Sequence, residues 1–252
     1  MPTELGGFVL DSARAVLAEM AHLRQAAAQL ARPDGGAGQY RVGGLPGPLV
    51  GSLVTCLRDL VATQQVVSRV DASSRALFTL IDQGQLDLAL GEEFPGFEHD
   101  LPATVDSLTL VEREPIFVAL PADHPLADES VVALPDLADD AWLVPPNDAS
   151  GQTALLRDAC VRAGFRPRIL HYAADPEAAR ALLASCNAVC LAYPTSRDGQ
   201  GVVIRPLVGD PITRRLLIAW RRGGRLSPKV TDLHHTLLRA YQELSRSSRN
   251  AA

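Results

Sequence analysis

The sequence predicts an α/β protein built from two comparable α/β units, preceded by a separate amphipathic helix. Three observations lead to that class. An apolar seam with near-heptad spacing runs through the opening residues, a glycine-rich linker closes it, and from Tyr40 onward strand-like and helix-like runs alternate in two successive series.

The seam is formed by Val9, Ala13, Val16, Met20, Leu23, Ala27 and Leu30, which recur at alternating intervals of four and three. That spacing draws one stripe down a helix of roughly three heptads. A single helix cannot bury such a stripe. It can pack on its own domain, but the linker "RPDGGAGQ" (residues 32–39) holds it apart, and a helix set off by a flexible segment is better placed to pair with a second chain. Next come a strand "YRVGGL" (40–45), a helix "LVGSLVTCLRDLVA" (49–62), a strand "QVVSRVD" (65–71) and a helix "SRALFTLIDQG" (74–84) closed by Gly84, free to take positive φ. The run "LDLALG" (86–91) is apolar on both faces, as a strand buried in a parallel sheet would be. This repeated strand–helix–strand pattern specifies a mostly parallel sheet flanked by helices.

The segment "SLTLVEREPIFVALP" (107–121) holds two strand-like runs. A second series follows: strand "AWLVP" (141–145), helix "TALLRDACVRAG" (153–164), strand "RPRILHY" (166–172), helix "PEAARALLASCN" (176–187) and strand "AVCLAYP" (188–194). The tail adds "VVIRPL" (202–207), "RRLLIAWRR" (214–222) and a helix from Ser227 toward Ser248, too late for a third unit, so these are expected to return to the first. A second unit inserted into the first leaves a cleft crossed by two strands, the place for a small ligand.

Composition narrows the function. Nearly half the residues are apolar (47%), enough for a real core, while 24 Lys plus Arg against 29 Asp plus Glu and no long basic run exclude phosphate-backbone binding by this chain. The longest uncharged run, residues 181–196, is broken by Asn187 and Pro194, and the start carries no basic, apolar and cleavage-site pattern; a soluble, cytoplasmic protein without membrane contact is expected. Cys56, Cys160, Cys186 and Cys190 lie in apolar patterns without metal spacing and read as buried reduced thiols.

Three turns, at residues 44–48, 73–75 and 148–153, each join a strand to a helix start, where unpaired N–H groups and the helix dipole favour negative charge. Facing one cleft, they would make an anion site. Ser73, Ser74 and Ser150 can equally cap their helices, and the two roles are compatible. Catalytic signatures do not appear: there is no Gly-x-Ser-x-Gly elbow, phosphate loop or His-Glu-x-x-His helix, and Arg41 stands where "GGAGQYRVGG" would need the third glycine of a dinucleotide fingerprint. His234 and His235 point in different directions on the last helix and read as surface residues. The paired acids Glu92/Glu93 and Asp139/Asp140 are of the type used in acid–base chemistry but sit at turn-like ends, where solvated charge is the stronger reading. No enzyme, metal or cofactor is expected.

Four stretches, "LIDQGQLDLALG" (80–91), "EREPIFVALPADHPLA" (112–127), "AGFRPRI" (163–169) and "LLIAWRRGGRLSP" (216–228), resemble in order and spacing the LysR-type transcriptional regulators, over nearly the whole chain. The resemblance implies a type 2 periplasmic-binding-protein-like fold: a linker and dimerisation helix at 1–33, effector-binding subdomain I at 39–118 and 206–248, and subdomain II at 119–205, joined by two crossover strands. The opening "PTELGGFVLDSARAVLAEMAHL" (2–23) resembles the junction between the family's winged helix-turn-helix and its linker helix. The expected function is effector sensing and oligomerisation, as a homodimer or homotetramer, with DNA reached only through a helix-turn-helix domain absent from this chain. The alternatives are a transport solute-binding protein or a regulator without that domain acting through protein partners. By the same resemblance Asp87 is the acid of a Gly-x-hydrophobic-Asp signature, ordering the helix-to-strand turn and the approach to the cleft. The implied effector contacts are Leu45, Pro46, Gly47, Pro48, Ser74, Ser150, Gly151 and Gln152, for an anionic or polar metabolite. Gly47 stands where many relatives carry serine or threonine, which leaves a less acidic effector or one held by backbone N–H groups; Asn187 stands where relatives carry glycine.

Overall fold

A computed structural model describes residues 39–61, 65–146, 148 and 150–249; the seam from Val9 to Leu30 lies outside them. The first strand, β1 (Gln39–Gly44), buries Tyr40 and Val42 and ends in two glycines. A side chain at Gly43 would meet Leu77 and Leu86 at 2.6 and 2.7 Å, so the glycine lets a helix lie close on the sheet. In α1 (Pro48–Val61) Leu49, Leu53, Cys56 and Leu57 fall on one buried face, with proline in the first turn, where a missing N–H costs nothing. Then come β2 (Gln65–Val70), α2 (Ser74–Asp82) and β3 (Leu88–Glu93), the last buried at every position.

The chain continues through β4 (Val105–Pro115), β5 (Phe117–Pro121), β6 (Ala141–Val144), α3 (Gln152–Arg162), β7 (Arg168–Tyr172), α4 (Pro176–Cys186), β8 (Ala188–Ala192), β9 (Val202–Pro206), β10 (Thr213–Arg221) and α5 (Val230–Arg249). Two five-stranded sheets result, ordered β2-β1-β3-β10-β4 and β7-β6-β8-β5-β9. Around the first, Leu53 and Leu57 of α1 meet Leu233 and Leu237 of α5 on one face, and α2 packs Leu77, Phe78 and Ile81 on the other. Around the second, α3 covers Trp142 with Leu156 and Cys160, while Leu183 of α4 packs near Ala119 on the opposite face.

Both sheets are mixed rather than mostly parallel. β1 runs parallel to β3, and β6 to both β7 and β8, but β10 is antiparallel to β3 and β4, and β5 to β8 and β9. Crossing explains this: a strand that leaves one lobe for the other and a strand that returns run in opposite directions. The return also begins later than expected. Val202–Pro206 stays in the second sheet beside β5, and only β10 re-enters the first. The two crossings touch where the Ile116 N–H donates to the Ile212 carbonyl at 3.0 Å, both residues being buried.

Asp87 precedes β3. Its Oδ2 accepts the Arg41 N–H at 2.8 Å, its own N–H donates to the Arg41 carbonyl at 2.8 Å, and Arg225 lies 3.2 Å from the carboxylate. It thus ties β1, the entry to β3 and the turn after β10 together, away from the cleft that it was expected to approach. Asn187 ends α4 at φ 47° and ψ 43°, a left-handed conformation that asparagine tolerates. Cys56 and Cys160 are buried free thiols, Cys190 is half-buried, and Cys186 is exposed against expectation, because it falls on the outer face of the last turn of α4. His234 is not a surface residue either: it is half-buried, with Nε2 2.9 Å from the Thr109 carbonyl and its ring edge-on to that of His235. Among the described residues no helix is long and apolar enough to cross a membrane.

Candidate functional site

A cavity of about 860 Å³ is lined by residues of both sheets and their helices. Leu45, Leu90, Leu143, Leu156, Leu183 and Leu191 supply apolar wall. The starts of four helices reach it: residues 46–48 at α1, 73–75 at α2, 150 and 152 at α3, and 175–176 at α4. The fourth was not foreseen, although Asp175-Pro176 after a strand carries the signal of a capping side chain followed by proline at the first helical position.

Seven of the eight implied effector contacts line this cavity: Leu45, Pro46, Gly47, Pro48, Ser74, Ser150 and Gln152. Gly151 does not. It takes φ 89° at the start of α3, and a Cβ there would fall 2.2 Å from the Phe97 ring, so its role is a tight turn against that ring. Gly47 is exposed at φ 146° with open space around it. A side chain there would strain the backbone rather than clash.

Three helix starts are already capped from within the chain. Ser73 Oγ accepts the Ala76 N–H at 3.2 Å at α2, and Asp71 accepts the Ser73 N–H at 3.0 Å. At α3 Asp148 accepts the N–H groups of Ser150 and Thr153 at 2.9 and 2.5 Å and the Ser150 hydroxyl at 2.5 Å. At α4 Asp175 accepts from the N–H groups of Glu177 and Ala178 at 3.1 and 2.8 Å. Burial works against the Asp148 charge, but the hydrogen bonds from Ser150 and Thr153 outweigh it and hold the carboxyl below its ordinary value. Ser74 is no cap: its buried hydroxyl accepts the Glu92 N–H at 2.9 Å, joining α2 to the end of β3.

Glu92 and Glu93, expected as solvated loop charges, are buried at 8% and 5% exposure. They close β3 and lie beside β10, which brings Arg214 and Arg215 to them. Arg214 binds both Glu92 and the fully buried Glu114 of β4, and Arg215 binds Glu93. Two acids opposite two arginines on neighbouring strands was the missed signal, readable only once the partner strand is known. Of the other pair, Asp139 is exposed and Asp140 lies 3.2 Å from the His124 ring. The Arg214 guanidinium lies 3.4 Å over the Tyr193 ring, and Gln152 Nε2 donates to the Tyr193 hydroxyl at 3.1 Å. Tyr193 and Gln152 belong to the second lobe and Arg214 to the first, so this polar floor spans both. Burial disfavours the Arg214 charge, but Glu114 and Glu92 more than offset it and hold the guanidinium well above its ordinary value. Burial likewise pushes the Tyr193 phenol up. The Cys190 thiol, at the cavity wall, is pushed up to about 12 by burial, which leaves it un-ionised and a poor nucleophile at neutral pH.

The sequence model of the LysR substrate binding domain matches residues 34–242. The small neutral protease regulatory protein of Streptomyces coelicolor is 38% identical, over 98% of this chain and 72% of the relative. Among solved structures, a putative LysR family transcriptional regulator from Pseudomonas aeruginosa superimposes with a TM-score of 0.65 at 23% identity, covering 95% of this chain and 82% of that one. The BenM effector binding domain with its effector benzoate superimposes with a TM-score of 0.64 at 20% identity, covering 82% and 93% respectively.

Proposed function

The chain belongs to the LysR-type transcriptional regulators and carries their substrate-binding domain, and from that premise we propose that the cavity between its two lobes takes up a small organic effector and passes its occupancy to transcription. The observation that carries this reading is the floor: Arg214 of one lobe stacks on Tyr193 of the other, so a molecule seated there touches both. A ligand that binds the closed arrangement better than the open one shifts the balance between them, by no more than its differential affinity. That the BenM domain of like fold is known with an effector, benzoate, supports effector uptake by this domain.

The contacts proposed are Leu45, Pro46, Pro48, Ser74, Ser150 and Gln152, with Glu92, Tyr193 and Arg214 added. Binding rather than catalysis is favoured because, among the described residues, the cavity's acids Asp71, Asp148, Asp175 and Glu92 are engaged as caps or ion-pair members. The protein acts in the cytoplasm as a homo-oligomer paired through the Val9-to-Leu30 seam, and DNA is contacted through a helix-turn-helix domain. The lobes, one built on β2-β1-β3-β10-β4 and the other on β7-β6-β8-β5-β9, move as the two jaws.

A thermal-shift screen of carboxylates, amines and amino acids tests the site, because a compound bound only by the native state raises the melting temperature by mass action. Ala174 is an exposed lining position. Ala174→Trp should abolish the response to any hit while leaving the unliganded melting temperature unchanged. A hit that keeps its shift in this variant overturns the reading.

A further inference from the structure

We propose that the ligand of this cavity is dipolar, with a protonated amine inward against Glu92 and a carboxylate at the mouth facing Arg75 and Arg197; this rests on the cavity being the effector site. The inference departs from the anionic ligand that helix starts around a cleft would suggest. Those starts are already served. Asp148 and Asp175 occupy N–H groups at the starts of α3 and α4, Ser73 and Asp71 occupy two at α2, and Pro48 removes one of those at α1. An incoming anion finds fewer free donors than four helix starts would ordinarily offer.

The floor points the same way by charge. Arg214 is the single cation between Glu92 and Glu114, and all three are at least nine-tenths buried. Its Nε goes to Glu114, its Nη1 to Glu92, and its face is covered by Tyr193. By formal charge the triad therefore holds two acids to one base. A further anion would deepen that imbalance, whereas an ammonium neutralises it. Glu92 has room for the partner: it lines the cavity, it gives Oε2 to Arg214, and its Oε1 has no hydrogen bond among the described residues. Ser74, Gln152 and Thr195 add buried polar atoms beside it. Toward solvent the balance reverses. Arg75 from the first lobe and Arg197 from the second are exposed lining residues, and among the described residues neither guanidinium has a hydrogen bond or ion pair. The leucine walls of the same cavity ask for an apolar body. A buried acid, exposed arginines and leucine walls together set the class of the ligand and its direction.

The test compares ω-aminooctanoate, octanoate and octylamine, equal in chain length, by calorimetry and thermal shift on the whole chain, on Glu92→Gln and on Ala174→Trp. The amino acid should bind more tightly than either single-headed probe, and Glu92→Gln should weaken it at least about tenfold while improving octanoate. Binding of octanoate as tight as that of ω-aminooctanoate, or no response of the unaltered protein to any probe, overturns the dipolar ligand but leaves the site reading standing. A response that survives Ala174→Trp overturns the site reading itself. The selectivity of the unaltered protein decides the matter even if Glu92→Gln fails to fold.

Discussion

Arg214 holds one positive charge between two carboxylates where water does not reach, and each partner depends on it. Removing it leaves two acids buried without a counter-charge, so Arg214→Met should destabilise the protein by about 3–5 kcal/mol, seen as a lower urea midpoint. The exposed Arg222–Asp106 pair is the control: Arg222→Ala should leave the midpoint where it was. Asp148 makes a different prediction. Its folded carboxyl ionises more readily than the unfolded one, so the stability it confers is present above the unfolded value of about 3.9 and is lost as pH falls through the folded value. Unfolding curves of the parent and of Asp148→Asn should therefore differ most near neutrality and converge below about pH 4. A constant gap down to acid pH would show that the carboxylate contributes no charge-dependent stability.

At the scale of elements, α4 ends because Asn187 turns the chain left-handed. Asn187→Ala should cost about 1 kcal/mol by thermal unfolding, because alanine lacks the short polar side chain that lets asparagine tolerate this region, and Asn187→Gly should cost nothing, because glycine enters it freely. This cap was legible beforehand, as were the helices at 48–61, 74–82, 152–162 and 176–186, because periodic leucines and flanking glycine, proline or aspartate act over a few residues. Pairing across the chain was not legible. Nothing local to "VVIRPL" says that it stays beside β5, and nothing in "LALGEE" says that its last two acids will face Arg214 and Arg215, more than a hundred residues later. The helix starts around the cavity could be read from their strand-to-turn positions. Their capping could be read only in part: Ser73 and Asp175-Pro176 carry a cap signal, whereas Asp71 and Asp148 look in sequence like any loop acid.

For the whole molecule, the lobes are linked by two crossings that share the Ile116–Ile212 hydrogen bond and by the stack of Tyr193 on Arg214. Loosening the stack should free the hinge before it unfolds either lobe. In Tyr193→Leu the Ile116 amide should exchange with solvent faster, while amides in the middle of β8 and β10 keep their protection. Equal protection in parent and variant would remove the stack from the hinge. The strand order has a further consequence, in time rather than space. β10 lies between β3 and β4, so during synthesis the first lobe keeps a vacant place at its centre until residue 221 has left the ribosome, whereas the second lobe, continuous from 117 to 206, has every strand it needs earlier. The jaw made later in the gene is thus the one whose strands are all present first.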